Sequence, residues 1–292
     1  MEIDALLLKI LHAQKPLEVF SRTEYKKQYV QYLKILHPDV CSHPKANEVV
    51  TKLNLFKTQI EDLCRMEDDA GIFRQLDDKV LMFMGDKALL HRSYECYLKL
   101  MRLNDDASNH FKKYLPQRME FKGDSLYVYT SHRVVPFLNL NLPQQHVAWM
   151  TSRMLEFISW MHQVDFCHAG INPASLCVVP ETHGIICTSF YHQTYMNSKI
   201  QTISGKYLNW YPSIVFSEKR AIPYIDIALV QRTALYLLGD ESGNGIKLKK
   251  TNNEMLIDFL ITPHYQAFET FDNYRKLLAK IFGKPTYFPL EI

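Results

Sequence analysis

The chain has 292 residues, 47% of them apolar and 22% charged, with a formal net charge of +3. That length suits two domains or one large one, and the composition is ordinary for a globular protein. The small charge excess gives no electrostatic case for nucleic acid, and no apolar run approaches the roughly 20 residues that cross a bilayer, so no membrane partner is expected.

The opening residues, MEIDALLLKIL, put acids before the apolar run and lack a small-residue cleavage site, which makes a poor secretory signal. Six cysteines are scattered without framework spacing, so reduced thiols and a cytoplasmic location are expected. His168, Cys177, His183 and Cys187 lie near one another around Cys167, but no paired-cysteine or paired-histidine spacing supports a zinc site. No metal and no cofactor are expected.

The first pattern is a short helix around Leu8-Lys9-Ile10-Leu11. From Tyr25, apolar residues recur at Tyr25, Tyr29, Tyr32, Leu33 and Leu36, the stripe of an amphipathic helix. Lys26, Lys27 and Lys34 fall mostly off the stripe and should face water. Pro38 cannot continue a helix, so the helix ends near His37. A second stripe follows at Val49, Leu53, Phe56, Ile60 and Leu63. Two such helices joined by a short loop make an antiparallel hairpin.

By itself His37-Pro38-Asp39 reads as a helix stop. With its flanks, an amphipathic helix carrying a Lys-Lys pair, then LHPD, then a second amphipathic helix, residues 1–66 resemble the J-domain family. The resemblance implies docking on an Hsp70 (DnaK-type) chaperone and stimulation of its ATP hydrolysis. The contacts it implies are His37, Pro38, Asp39, Lys26 and Lys27. The sequence departs from the family where a basic pair is replaced by Val30-Gln31 and a basic position before the loop by Ile35, which thins the positive face. The first loop is also slightly longer than usual.

Residues 67–78, within the acidic stretch Arg65 to Asp78, read as a linker to a second domain at 79–292. From Lys79 the texture changes to strands. Val80 to Met84, a Gly85-Asp86 turn and Ala88 to Arg92 read as one hairpin, and Tyr94 to Leu103 as another strand. Asn104 to Tyr114 reads as a helix, Met119 to Phe121 and Ser125 to Thr130 as a second hairpin, and Arg133 to Leu140 as a last strand. A long helix, Gln144 to Gln163, buries Val147, Met150, Met154, Phe157, Ile158 and Met161. Two short strands follow, ending at Val179 and running from Gly184 to Thr188. Helices are expected at Tyr224 to Leu238, Asn253 to Ile261 and Ala267 to Ile281. A β-rich half followed by a helical half makes the fold class α+β.

This order resembles the two-lobed protein-kinase fold over about residues 77–285. The stretch matching the family's catalytic loop is His168-Ala169-Gly170-Ile171-Asn172-Pro173-Ala174-Ser175. The resemblance puts Gly170 at the catalytic Asp and Ser175 at the magnesium-binding Asn. Ser189-Phe190-Tyr191 stands where the metal-binding Asp-Phe-Gly is expected, and Tyr211-Pro212-Ser213 where Ala-Pro-Glu is. Lys99 is placed as the strand lysine, and Asp226 matches a structural Asp of a buried helix. No glycine-rich phosphate loop is present. Loss of both metal ligands and the base implies a pseudokinase, not an enzyme, serving to hold an unidentified protein client.

Three functional readings follow. The first is a co-chaperone that recruits and stimulates Hsp70, with the second domain as an interaction module. The second is an atypical nucleotide-binding phosphotransferase, with Lys99 on the phosphates and Asp165 or Asp226 replacing the lost carboxylates. The third is an adaptor or decoy that binds Hsp70 without stimulating it.

Overall fold

Leu6, Leu7 and Ile10 occupy one side of the first helix, α1 (Ile3–His12), and are buried. They meet the buried stripes of α2 (Tyr25–Leu36) and α3 (Ala46–Leu63), which run antiparallel. The computed structural model describes residues 3–21, 24–284 and 289–292; the side chain of Leu63, last of the expected stripe, lies outside the described residues. Val49, Leu53, Phe56 and Ile60 are buried as the spacing requires. Phe20 stacks on Tyr32 at 5.9 Å and closes the open side of the hairpin. This core, from Leu6 to Ile60, is separate from the larger core that begins at Met66.

A single residue, Cys64, joins α3 to the first strand. The segment expected as a linker instead forms β1 (Arg65–Glu67) and β2 (Gly71–Asp77), which pair with each other and with β3 (Val80–Gly85). Met66 and Phe73, apolar residues in an otherwise polar stretch, are the side chains that β1 and β2 bury. At the mouth of the β2–β3 pair, Gly71 and Gly85 face each other with φ of +140° and +143°. A Cβ on Gly85 would stand 1.9 Å from the Ala70 carbonyl oxygen, so only glycine fits there.

The expected strands at Ala88 to Arg92 and Tyr94 to Leu103 are one helix, α4 (Lys87–Arg102). Asp86 caps it by accepting the Leu89 N–H at 3.0 Å. Its buried side is Leu90, Ser93, Cys96, Tyr97 and Leu100, a helical spacing in which a serine stands among the apolar residues. Lys99 therefore lies on a helix and not on a strand.

The expected helix after it shortens to α5 (Asp106–Phe111) with a 3-10 turn at Lys112–Tyr114. The hairpin β4 (Arg118–Lys122) and β5 (Ser125–Tyr129) completes an antiparallel sheet in the order β1-β2-β3-β5-β4. Of the strand expected at Arg133 to Leu140, β6 (Val135–Pro136) is what pairs.

The helical half is built on α6 (Gln144–Gln163), whose Val147, Met150, Phe157 and Ile158 are fully buried. It leads through β7 (Phe166–Cys167) to β8 (Leu176–Val179) and β9 (Gly184–Cys187), and β6-β8-β9 form a small sheet. The strand β10 (Thr194–Tyr195) returns to pair with β7. After the short α7 (Ile214–Glu218), the buried α8 (Pro223–Leu237) and α10 (Ala267–Phe282) pack against α6, and α9 (Glu254–Ile261) packs on α8 and α10. The chain is α+β, and side chains of its five-stranded sheet and α4 hydrogen-bond across a seam to its helical half.

Candidate functional site: an exposed bend and a buried polar network

At the end of α2 the backbone turns out of the helix at His37, with φ −61° and ψ 138°. Its carbonyl accepts the N–H groups of Val40 and Cys41, each at 2.8 Å, which closes the bend around Pro38. The side chains of His37 and Asp39 are 46% and 85% exposed and approach to 3.3 Å. Lys26 and Lys27 are also exposed, at the opposite end of α2, roughly 16 Å away at the helical rise per residue. The departures from the expected basic face are exposed too, Val30 at 49% and Ile35 at 41%. The bend therefore points away from the five-stranded sheet, which joins the hairpin at its other end through Cys64.

The expected positions from His168 to Ser175, with Ser189, Phe190 and Asp226, are buried. Asp226 on α8 organises them: its carboxylate accepts the backbone N–H groups of His168 at 2.9 Å and Ala169 at 2.7 Å, and its Oδ2 lies 2.9 Å from His162 Nε2. Burial opposes its charge, yet the hydrogen bonds from His162 and His168 outweigh that and hold the carboxyl below its ordinary value. Ala169 is held at a positive φ of 53°, pinned by Asp226 on its N–H and by the Tyr211 hydroxyl on its carbonyl at 2.7 Å.

His168 is fully buried, and that burial pushes its imidazole down to about 4, so it is neutral. Its Nε2 lies 3.1 Å from the Ser189 carbonyl. Asn172 spends its side chain within its own turn, accepting from Ala174 and Ser175 and donating to the Gly170 carbonyl. Ser175 exchanges hydrogen bonds with the Asn172 backbone. Phe190 is fully buried; its N–H donates to Ser93 of α4 at 2.8 Å, and its ring lies between those of Tyr97 and His168.

Gly170 has no room for a side chain. A Cβ there would come within 2.6 Å of the His192 ring. His192 in turn meets Asp69 from the β1–β2 turn, Nε2 to Oδ2 at 3.1 Å. A carboxylate only accepts, so Nε2 carries a proton, and the other ring nitrogen lies 3.0 Å from the Thr202 hydroxyl. Asp69 also accepts from the Ser204 hydroxyl at 2.9 Å. Burial works against its charge, but the bonds from His192 and Ser204 prevail and lower its pKa. Beside it, Asp68 accepts from Ala70 and Gly71 of its own turn and from the Tyr191 hydroxyl at 2.6 Å. Burial dominates here and raises its carboxyl to about 6. Two acids of the β1–β2 turn thus bond to the helical half across the seam.

Sequence reasoning missed Asp68, Asp69 and His192. The available signals were an Asp-Asp-Ala-Gly turn in a supposed linker and a His two residues beyond Phe190. The structure does not assemble Lys99 with Asp165 or Asp226: Lys99 lies over the Tyr195 ring at 5.7 Å, Asp165 is exposed and Asp226 is fully buried. Of the zinc candidates, His168 and Cys187 touch at 3.1 Å, but His183 faces His146 at 2.7 Å and burial keeps the Cys177 thiol protonated. Among the described residues no three such side chains form a metal-binding group, and no helix is long and apolar enough to cross a membrane. No known family model and no curated protein sequence matches the chain.

Proposed function

We propose that this chain is a cytoplasmic co-chaperone. Its N-terminal hairpin recruits an Hsp70 through His37, Pro38 and Asp39 with Lys26 and Lys27, and its second unit is a kinase-like, catalytically inactive module that holds a protein client. The observation that carries the reading is the exposed His37 bend, set at the far end of a hairpin with its own core and turned away from the rest of the chain. The packing at Gly170 supports inactivity: the position read as the catalytic Asp abuts the His192 imidazole, which is held by Asp69 of the same chain. Joining two binding units on one chain raises the local concentration of chaperone beside the client.

The test is steady-state ATP hydrolysis by a purified Hsp70 with and without the full chain. The expected result is stimulation by the wild type that His37→Gln abolishes. Equal rates with wild type, His37→Gln and no addition would sink the proposal. A second reading, an adaptor that binds without stimulating, is favoured by exposed Val30 and Ile35 where the docking face should be basic; it is marked by binding that leaves hydrolysis unchanged. The phosphotransferase reading has no assembled site among the described residues. Mg-ATP is expected to leave the melting temperature unchanged, and a dose-dependent rise would restore that reading.

A further inference from the structure

The basic surface of the hairpin continues onto the sheet. Arg65 of β1 and Arg74 of β2 are direct partners across an antiparallel pair, so their side chains leave the sheet on the same face. Like charges directly opposite one another destabilise a strand pair. Both are exposed, and β1 is an edge of the sheet. Together with Lys26 they line a polar cleft of about 300 Å³ between the hairpin and the sheet.

The acids of that cleft do not account for the cations. Glu61 pairs with Lys57 at 3.2 Å. Arg65 leans on Glu67 along its own strand at 3.6 Å. Among the described residues Lys26 and Arg74 form no hydrogen bond or ion pair, and Asp62 is the remaining acid of the lining. Along α2, Lys27 and Lys34 are exposed and stand about two turns apart, which stacks them on one side. The cations run from Lys34, beside the His37 bend, to Lys26, about 12 Å at the helical rise, and on to Arg65 and Arg74 in the cavity that they line with Lys26.

We propose that the chaperone-docking surface spans both units: an acidic segment of the Hsp70 runs from the bend along α2 and seats a carboxylate between Lys26, Arg65 and Arg74. This rests on reading the hairpin as an Hsp70 docking element. The charges missing from the helix at Val30, Gln31 and Ile35 are replaced by arginines of the sheet. The one-residue connection at Cys64 holds those arginines against the end of α2.

The experiment measures Kd for a purified ATP-bound DnaK-type Hsp70 with full-length wild type, Arg74→Glu, Arg74→Gln, His37→Gln and a remote charge control, Lys280→Glu. Arg74→Glu is expected to weaken binding about tenfold at low salt, Arg74→Gln less, with both differences shrinking as salt rises and Lys280→Glu binding as wild type. Wild-type affinity in Arg74→Glu alongside lost binding in His37→Gln would confine docking to the hairpin and overturn the inference alone. A lowered melting temperature with unchanged Kd would overturn it too, because Arg74 would then serve only the acidic end of α3. If wild type itself does not bind, the proposed function falls and the inference with it.

Discussion

Asp69 and His192 meet at 3.1 Å although 123 residues separate them in the chain. Asp69 belongs to the β1–β2 turn and His192 to the segment after Phe190, so the pair ties the sheet to the helical half. Both side chains are at least nine-tenths buried. Removing one member of such a pair leaves the other desolvated and uncompensated. Asp69→Ala is therefore expected to lower stability by about 3 kcal/mol, read from urea unfolding. Asp69 has a depressed pKa, so its contribution is complete above the ordinary carboxylate range and is lost as pH falls below it. An unfolding midpoint that Asp69→Ala leaves unchanged near neutral pH would show that the pair does not hold the sheet to the helical half.

Asp68 carries the opposite sign. Its folded pKa of about 6 lies above the unfolded value of 3.8. The group therefore contributes stability that is full below the unfolded value and is lost as pH rises through about 6. Between about pH 5 and pH 7.5 the loss amounts to roughly 1.5 kcal/mol from this residue. Asp68→Asn keeps an acceptor for Ala70 and Gly71 but cannot ionise. The difference in stability between wild type and Asp68→Asn should shift toward the variant by that amount over this interval. A constant difference at both pH values would show that Asp68 does not titrate there.

Placing an acid at Gly170 tests how tightly His192 is packed against that position. The Cβ alone would press on the His192 ring at 2.6 Å. Gly170→Asp should cost at least the roughly 1–3 kcal/mol typical of overpacking and should not produce phosphate transfer from ATP. Adding His192→Ala opens the space, and the double variant should lose less than the sum of the single changes. Strict additivity would show that the two positions do not collide.

The parts of the fold that were legible share one property: their signal is local. The helix Gln144 to Gln163 was read with the bounds it has, because Val147, Met150, Met154, Phe157 and Met161 repeat every three or four residues over about four turns. The bend at His37 was equally readable, since Pro38 stops a helix by covalent geometry. The helix Lys87–Arg102 was read as strands because tyrosines and a cysteine favour strands and because Ser93 interrupts its buried face. Ser93 is buried to receive the N–H of Phe190 at 2.8 Å, a partner 97 residues away. The supposed linker failed for the same reason. Asp68 and Asp69 look like solvated charges until their partners Tyr191, His192 and Ser204 are brought in from the other half.

The last prediction concerns the thinned face of α2. Val30 and Ile35 are 49% and 41% exposed, so replacing them should neither open a cavity nor bury a charge, and stability should change by less than about 0.5 kcal/mol. Lys is also the better helix former at the Val30 position. If α2 steers an acidic partner, Val30→Lys with Ile35→Arg should raise the association rate with Hsp70 several-fold at low salt and leave dissociation nearly unchanged, because exposed charges act mainly on encounter. The gain should fade as salt shortens the screening length toward roughly 3 Å at 1 M. Stopped-flow binding at two salt concentrations separates the outcomes. A gain that persists at high salt would mean that the new side chains make direct contacts, and no gain at any salt would mean that this side of α2 does not face the chaperone.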